Sequence, residues 1–238
     1  MNISNHINMN SEAPGVALLY DQINFGQQFN GPTLNYIRAQ EIGLMRTEFT
    51  SLVRQFPQPI RVASLGIGSG DTDVRIIGAS SYKNKVFVDG YDISRNMLKQ
   101  AEDNLTRAGI PFCLQQSDLS SFKPVQSSYE LMYCQHVLCH LDDEQVFRLF
   151  TQVRIGLRPG GSFIFCELIE KLPPNVTPIL DWTYPRPIDK SLRKQLQNLE
   201  TYRSWKWYLT VLQQAGLVIK DVVYTTKDSL CITAIRKI

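Results

Sequence analysis

No apolar run in this 238-residue chain approaches the ~18 residues needed to cross a bilayer, which excludes a membrane-spanning helix. Nor does one sign of charge dominate. The formal net charge is +3, and apart from Arg193-Lys194 and Arg236-Lys237 the basic residues stand singly, so no stripe offers a footprint for a phosphate backbone and nucleic acid is not the expected substrate. The polar segment Met1–Ser11 has no basic stretch ahead of its apolar residues, so neither a secretory leader nor a transit peptide is expected, and the expected location is the cytoplasm. Cysteine is sparse and odd in number. Cys113, Cys134, Cys139, Cys166 and Cys231 fall mostly in predicted strands, which predicts free buried thiols and no disulfides. A chain of this length suits one α/β domain, burying roughly 70–75% of its unfolded surface without covalent staples.

What is present centres on Arg61–Asp71. A short apolar run there breaks into glycines on alternate positions, Gly66, Gly68 and Gly70, as in a buried strand turning sharply beneath a ligand that approaches the backbone closely. The dinucleotide fingerprint places its third glycine three positions after the second, whereas here it comes sooner. A tight strand-to-helix turn alone would also favour glycine. A second apolar run, Val86–Tyr91, ends in Asp92 roughly 20 residues on, where an acid at a strand tip can accept from two ribose hydroxyls.

Four segments together resemble the class I S-adenosylmethionine-dependent methyltransferases, over the chain from about Pro59 to the C-terminus. They are the glycine loop Leu65–Gly70, the strand end Gly90–Ser94 with Met97 after it, the segment Gln116–Leu119, and Leu157–Gly161 before a last apolar strand. The resemblance implies a Rossmann-like three-layer sandwich with a seven-stranded, mostly parallel sheet and an antiparallel C-terminal strand. It implies S-adenosyl-L-methionine as cofactor, held by Ser64 and the three glycines, by Asp92, Ile93 and Met97, and by Ser117, Asp118, Leu119 and Gln135. The family more often carries an acid where this chain has Ser64, so Asp71 or Asp73 takes that role, or backbone carbonyls and water do. The local pattern around Ser64 is similar to that of histamine N-methyltransferase.

The coarse reading of the rest follows from periodicity and punctuation. Tyr36–Phe56 reads as a helix ended by Pro57 and Pro59, and Asp71 or Thr72 could cap the helix after the glycine loop. Ser94–Ala108 reads as a helix capped by Ser94 and stopped by Gly109, with Met97, Leu98, Ala101 and Leu105 inward. Met97 is either an adenine contact or core filler, and Asp118 either accepts from the adenine amine or caps the next turn. Strands are predicted at Phe112–Gln116, Tyr129–Cys134 and Ser162–Leu168, then a helix at Thr201–Gly216 and strands at Val218–Tyr224 and Ser229–Arg236.

The chain has three histidines, and two of them, His136 and His140, follow the Tyr129–Cys134 strand. Either is a sensible base near its usual pKa of ~6.5, although methyl transfer from a sulfonium can also proceed by positioning alone. His140 has a structural reading as well, in a turn that opens a helix. The cluster Cys134, His136, Cys139 and His140 is not read as a zinc site, because no second Cys or His pair completes a tetrahedral shell. The expected organisation is one domain over 1–238, with cap helices in 1–56, the cofactor core in 57–170, a substrate lid in 171–200 and the last helix and strands in 201–238. Substrate contacts are expected from Tyr20 and Phe25 in the cap, from His136 and His140, and from Trp182, Tyr184 and Arg186 in the proline-stiffened insertion. Those aromatics suit packing on the sheet or on a partner subunit equally well.

The expected activity is methyl transfer to oxygen or nitrogen of a small molecule, by a monomer or homodimer. Non-methylating chemistry on the same fold is the nearest rival, a non-catalytic binding module another, and a nicotinamide oxidoreductase is disfavoured by the early third glycine.

Overall fold

A computed structural model describes residues 7–8, 32–78, 81–181 and 200–237. Its strands are β1 (Ile7–Asn8), β2 (Ile60–Leu65), β3 (Val86–Asp92), β4 (Phe112–Gln116), β5 (Tyr129–Gln135), β6 (Leu157–Leu168), β7 (Val218–Thr226) and β8 (Ser229–Ile235). They form one sheet in the order β1-β4-β3-β2-β5-β6-β8-β7. The pairings from β1 to β6 are parallel, and those of β8 with β6 and with β7 are antiparallel. The expected seven strands are therefore present, and Ile7–Asn8 adds a two-residue edge strand beside β4.

Alternation along the strands sends side chains to two cores, one on each face. In β2, Ile60 and Val62 face one and Ala63 and Leu65 the other. The first core is closed by α1 (Pro32–Gln55), through Met45, Phe49 and Leu52, and by α3 (Arg95–Ala108), through Leu98, Ala101 and Leu105. The second is closed by α4 (Asp143–Gly156), through Val146, Phe150 and Val153, and by α5 (Trp205–Gln214), through Tyr208 and Leu212. This is the expected three-layer sandwich.

Two local expectations, the cap after the glycine loop and the absence of a disulfide, are corrected. The helix after the glycine loop, α2, is a single α-turn, Asp71–Asp73, that continues as a π-helix over Val74–Gly78. Its N-cap is Gly70 in the left-handed region with no side-chain cap, so neither Asp71 nor Thr72 closes it. Cys166 and Cys231 form a disulfide, against the expectation of five free thiols. They sit directly opposite each other in the antiparallel β6–β8 pair with Cα atoms 4.1 Å apart, a register that an odd cysteine count does not reveal. Cys134 and Cys139 are free thiols. Among the described residues no helix is long and apolar enough to cross a membrane.

Strand order explains where ligands must go. From β2 the chain winds outward through β3 to β4, then returns to the opposite side of β2 as β5, so β2 and β5 flank a topological switch point. Crevices at such points, outside the carboxyl ends of the strands, are where open α/β sheets bind ligands. The glycine loop follows β2, and Gln135 and His136 lie at the end of β5.

Candidate active site

The glycine loop is fixed by the strand beside it. The amides of Gly66 and Ile67 both donate to the Tyr91 carbonyl, at 2.8 and 2.9 Å, and Gly66, Gly68 and Gly70 have φ of 70°, 55° and 72°. These left-handed values favour glycine. The available space differs among them. A Cβ on Gly66 would lie 2.5 Å from Val137 Cγ2, and one on Gly70 3.3 Å from Ala101, whereas one on Gly68 would meet nothing within 4 Å. Gly68 thus presents bare backbone to an open cradle.

Asp92 stands at the rim of that cradle. Its carboxylate accepts from Gly68 N at 2.8 Å and from Ser94 N at 2.9 Å, and this holds it at the tip of β3. Ile93 contributes a carbonyl that accepts from Gln116 Nε2. Met97 and Leu119 are buried at 3% and 6% exposure, and Ser117 N donates to the Asp92 carbonyl. Asp118 is exposed, and its carboxylate accepts from Ser120 N at 2.8 Å, the turn-capping arrangement. An acid at a strand tip, a backbone cradle that one Cβ would fill and buried apolar side chains nearby fit a nucleoside with an amino-acid tail.

Beneath the loop, Ser64 is part of a buried acid cluster. Ser64 Oγ donates to Asp73 at 3.3 Å, and the Tyr133 hydroxyl donates to the other oxygen of the same carboxylate. Burial pushes Asp73 up to about 7 against the pull of these two hydroxyls. Of the two acids offered as substitutes for a carboxylate at position 64, Asp73 is the one that touches Ser64, while Asp71 is exposed and pairs with Arg75.

The tip of β5 carries the most unusual chemistry. His136 has φ 54° and donates its backbone amide to the Cys166 carbonyl at 2.8 Å, which turns its ring toward α1. There Glu41, with no exposure, accepts from Gln135 Nε2 at 2.6 Å through Oε2, and His136 Nε2 lies 3.1 Å from the same oxygen. Thr72 Oγ1 donates to the Gln135 side-chain carbonyl at 2.9 Å, tying this group to the glycine loop. Glu167, also fully buried, accepts the amides of Val137 and Leu138 through Oε1, each at 2.6 Å. Burial opposes charge on His136, yet the attraction of Glu41 and Glu167 outweighs it and raises its pKa. Burial likewise raises Glu167, with His136 pulling the other way. Among the described residues, Glu41 Oε1 and Glu167 Oε2 have no hydrogen-bond partner although both are inaccessible to solvent.

The supports of this region lie far away in sequence. Glu48, two turns along α1 from Glu41, accepts from Ser162 Oγ at 2.5 Å and from Lys220 Nζ, which docks α1 on the sheet. Arg203 is 4% exposed. It donates to the Leu138 and Leu141 carbonyls and to Asp143, and stacks on Trp207, clamping the loop after β5 from behind.

His140 closes a 3-10 turn (Leu138–His140), on the same loop as His136. Ligand atoms of Cys139, His140 and Glu200 lie within 4.8 Å of one another. Glu200 is a donor that a search by Cys and His spacing cannot see. Burial pushes the Cys139 thiol well up, favouring its protonated form. Tyr20, Phe25, Trp182, Tyr184 and Arg186 lie outside the described residues.

Residues 62–161 match the family described as "Methyltransferase domain". N-terminal Xaa-Pro-Lys N-methyltransferase 1-A of Xenopus laevis is 27% identical over 139 residues, 57% of this chain and 53% of that protein. The chain thus spans about half the length of this relative. Among solved structures, an S-adenosylmethionine-dependent methyltransferase from Leishmania major aligns with TM-score 0.65 at 17% identity, over 92% of this chain and 80% of that one. The cyclase SpnF aligns with TM-score 0.60 at 12% identity, over 81% of each chain. At these identities the two structures speak for the fold alone.

Proposed function

On the premise that the chain carries a class I S-adenosylmethionine-dependent methyltransferase domain, we propose that it moves the methyl group of that cofactor to nitrogen or oxygen of a small-molecule acceptor, with His136 as the base. The observation that carries this reading is the junction of two halves across the switch point. Thr72, next to the glycine loop, bonds Gln135, and Gln135 and His136 share Glu41. Cofactor and acceptor would meet there.

The cofactor supplies an electrophilic methyl on a positively charged sulfur, and this chain's residues do the rest. Asp92, fixed by Gly68 and Ser94, takes the ribose hydroxyls, the open backbone at Gly68 lets the ligand approach, and Met97 and Leu119 flank the base. Ser117, Asp118 and Ile93 complete the nucleoside end. Asp73, bonded to Ser64, would favour the ammonium of the amino-acid tail once it ionises, above about pH 7. His136 accepts the acceptor's proton, and Glu41 stabilises the imidazolium that results. His140, on the same loop, lines the acceptor side.

A second reading takes the acceptor to be a peptide N-terminus, and the similarity to the Xenopus laevis N-terminal methyltransferase favours it. A third reading keeps the cofactor without transferring its methyl; SpnF, alike in fold, is a cyclase. The same proposal has 1–238 acting as one domain, in the cytoplasm, as a monomer or homodimer. Its test is formation of S-adenosylhomocysteine from S-adenosylmethionine with small amines, phenols and carboxylates and with Xaa-Pro-Lys peptides. Turnover on small molecules supports the first reading and turnover on peptides alone the second. Tight binding without turnover on any of them would move the reading to non-methylating chemistry.

A further inference from the structure

We propose that the acceptor is an amine, bound as its ammonium between Glu41 and Glu167. This rests on the methyl-transfer reading and narrows it. Both carboxylates are fully buried, and both flank the loop that holds His136. Each uses one oxygen on this chain's own groups. Glu41 Oε2 takes Gln135 and the His136 ring, and Glu167 Oε1 takes two backbone amides. The remaining oxygens, Glu41 Oε1 and Glu167 Oε2, have no hydrogen-bond partner among the described residues, although the Cys139 thiol also interacts with the Glu167 carboxylate. Buried carboxylate oxygens without donors are costly, and a native fold keeps them where a ligand supplies the donors.

The missing partner must be cationic and rich in N–H. An ammonium has several donors and a charge opposite to that of the two acids, whereas a phenol or alcohol has one donor and no charge. A carboxylate acceptor would meet like charge. Of the described basic residues around this cluster, Arg203 is on carbonyls of the loop and Lys220 on Glu48, while Arg38 on α1 is near enough to His136 to oppose its charge.

The reaction then balances as follows. The ammonium gives one proton to the His136 imidazole, which leaves a lone pair on nitrogen. That lone pair forms the N–C bond to the methyl, and the C–S bond breaks with its electron pair returning to sulfur, giving a neutral thioether and a methylammonium. The proton on His136 passes to solvent, so one proton is released per turnover.

A free small amine and a peptide α-amine share this chemistry, and the experiment separates them. S-adenosylhomocysteine formation is measured with 2-phenylethylamine and other primary and secondary amines, with the isosteric alcohols and carboxylates, and with a Ser-Pro-Lys peptide whose N-terminus is free or acetylated. Binding of the same compounds to the S-adenosylhomocysteine-loaded protein is followed in parallel. The expected result is turnover confined to amines, with the free peptide active and its acetylated form inert if the source is a peptide.

Glu41→Gln and Glu167→Gln each keep the oxygen that serves this chain's own donors. Each is expected to lower kcat/KM for the amine by ~10–100-fold while leaving the affinity for S-adenosylhomocysteine unchanged. Turnover on alcohols or carboxylates, or absence of binding by any amine of the set, overturns the proposal. So does a fall in S-adenosylhomocysteine affinity that parallels the fall in turnover, since the two oxygens would then serve the ammonium of the cofactor itself. Failure of the wild type to bind S-adenosylhomocysteine would instead remove the methyltransferase reading beneath it.

Discussion

The β2–β3 side of the switch point and the β5–β6 side are built on opposite terms. On the first, two acids have their oxygens closed by this chain's own groups: Asp92 by two backbone amides and Asp73 by two hydroxyls. On the second, Glu41 and Glu167 each bring one buried oxygen that has no hydrogen-bond partner among the described residues. The first side is a finished surface for a ligand of fixed shape. On the proposed reading the second holds charge in reserve for a partner that changes protonation during the reaction, and its unmatched oxygens are the ground for proposing it as the acceptor side.

The largest effect is expected where the two sides touch. Gly66→Ala combines left-handed backbone, at roughly 1–2 kcal/mol, with a Cβ driven into Val137, whose overpacking adds about 1–3 kcal/mol. Urea denaturation should show the sum, and cofactor binding should disappear. Gly68→Ala sharpens the contrast, because its Cβ meets nothing on this chain. Stability should fall only by the backbone share, while calorimetry shows cofactor affinity reduced ~10-fold or more by the methyl in the cradle. Equal losses of stability in the two variants would contradict this assignment of space.

Next in size is Glu167→Ala. It strips the acceptor from the Val137 and Leu138 amides, and two buried donors left without partners are expected to destabilise the fold by ~2–4 kcal/mol. Glu167→Gln should recover most of this, since one oxygen remains. A thermal melt of both variants checks the pair, and equal melting temperatures would show that the two amide contacts are not what holds the loop.

Asp73 tests the closed side through pH. Its folded pKa, about 7, lies above the unfolded value, 3.8, so the folded state keeps its proton where the unfolded state has lost it. Stability therefore falls as pH rises between these values and levels off above about 7, by a few kcal/mol at most. Asp73→Asn removes this dependence. Compared in urea at about pH 5 and about pH 8, the variant should gain on the wild type at the higher pH. A constant gap would show that Asp73 is ionised throughout.

The smallest effect belongs to Asp118. Its carboxylate caps a short exposed turn, so Asp118→Ala should lower stability by about 1 kcal/mol or less and weaken cofactor binding only a few-fold. A loss matching that of the Asp92 variant would promote Asp118 to a main nucleoside contact.

The closed side was far more legible in sequence than the open one, for a physical reason. Buried parallel strands are short apolar runs, so Arg61–Leu65, Phe112–Gln116 and Val86–Asp92 stood out within a residue or so of their observed bounds. The cap of α3 was local too: Ser94 accepts from Met97 N, and Gly109 has φ 66°. Asp92 sits at the end of such a run. Glu41 is different, since its partners Gln135 and His136 are 94 and 95 residues away and only the folded sheet brings them together. One signal was available: Glu41 and Glu48 fall on the same helical stripe as Ile37, Met45 and Leu52, where an acid needs a buried partner. Arg203 and the Cys166–Cys231 bridge depend on register between distant segments, which no periodicity encodes.

The most direct measurement is calorimetric titration of the protein with S-adenosylmethionine and with S-adenosylhomocysteine, on the wild type and on Asp92→Ala. Micromolar binding of both ligands, lost or weakened by roughly 10-fold or more in the variant, is the predicted result. Absence of binding to the wild type, or equal binding by the variant, would contradict the placement of the cofactor between the glycine loop and the tip of β3.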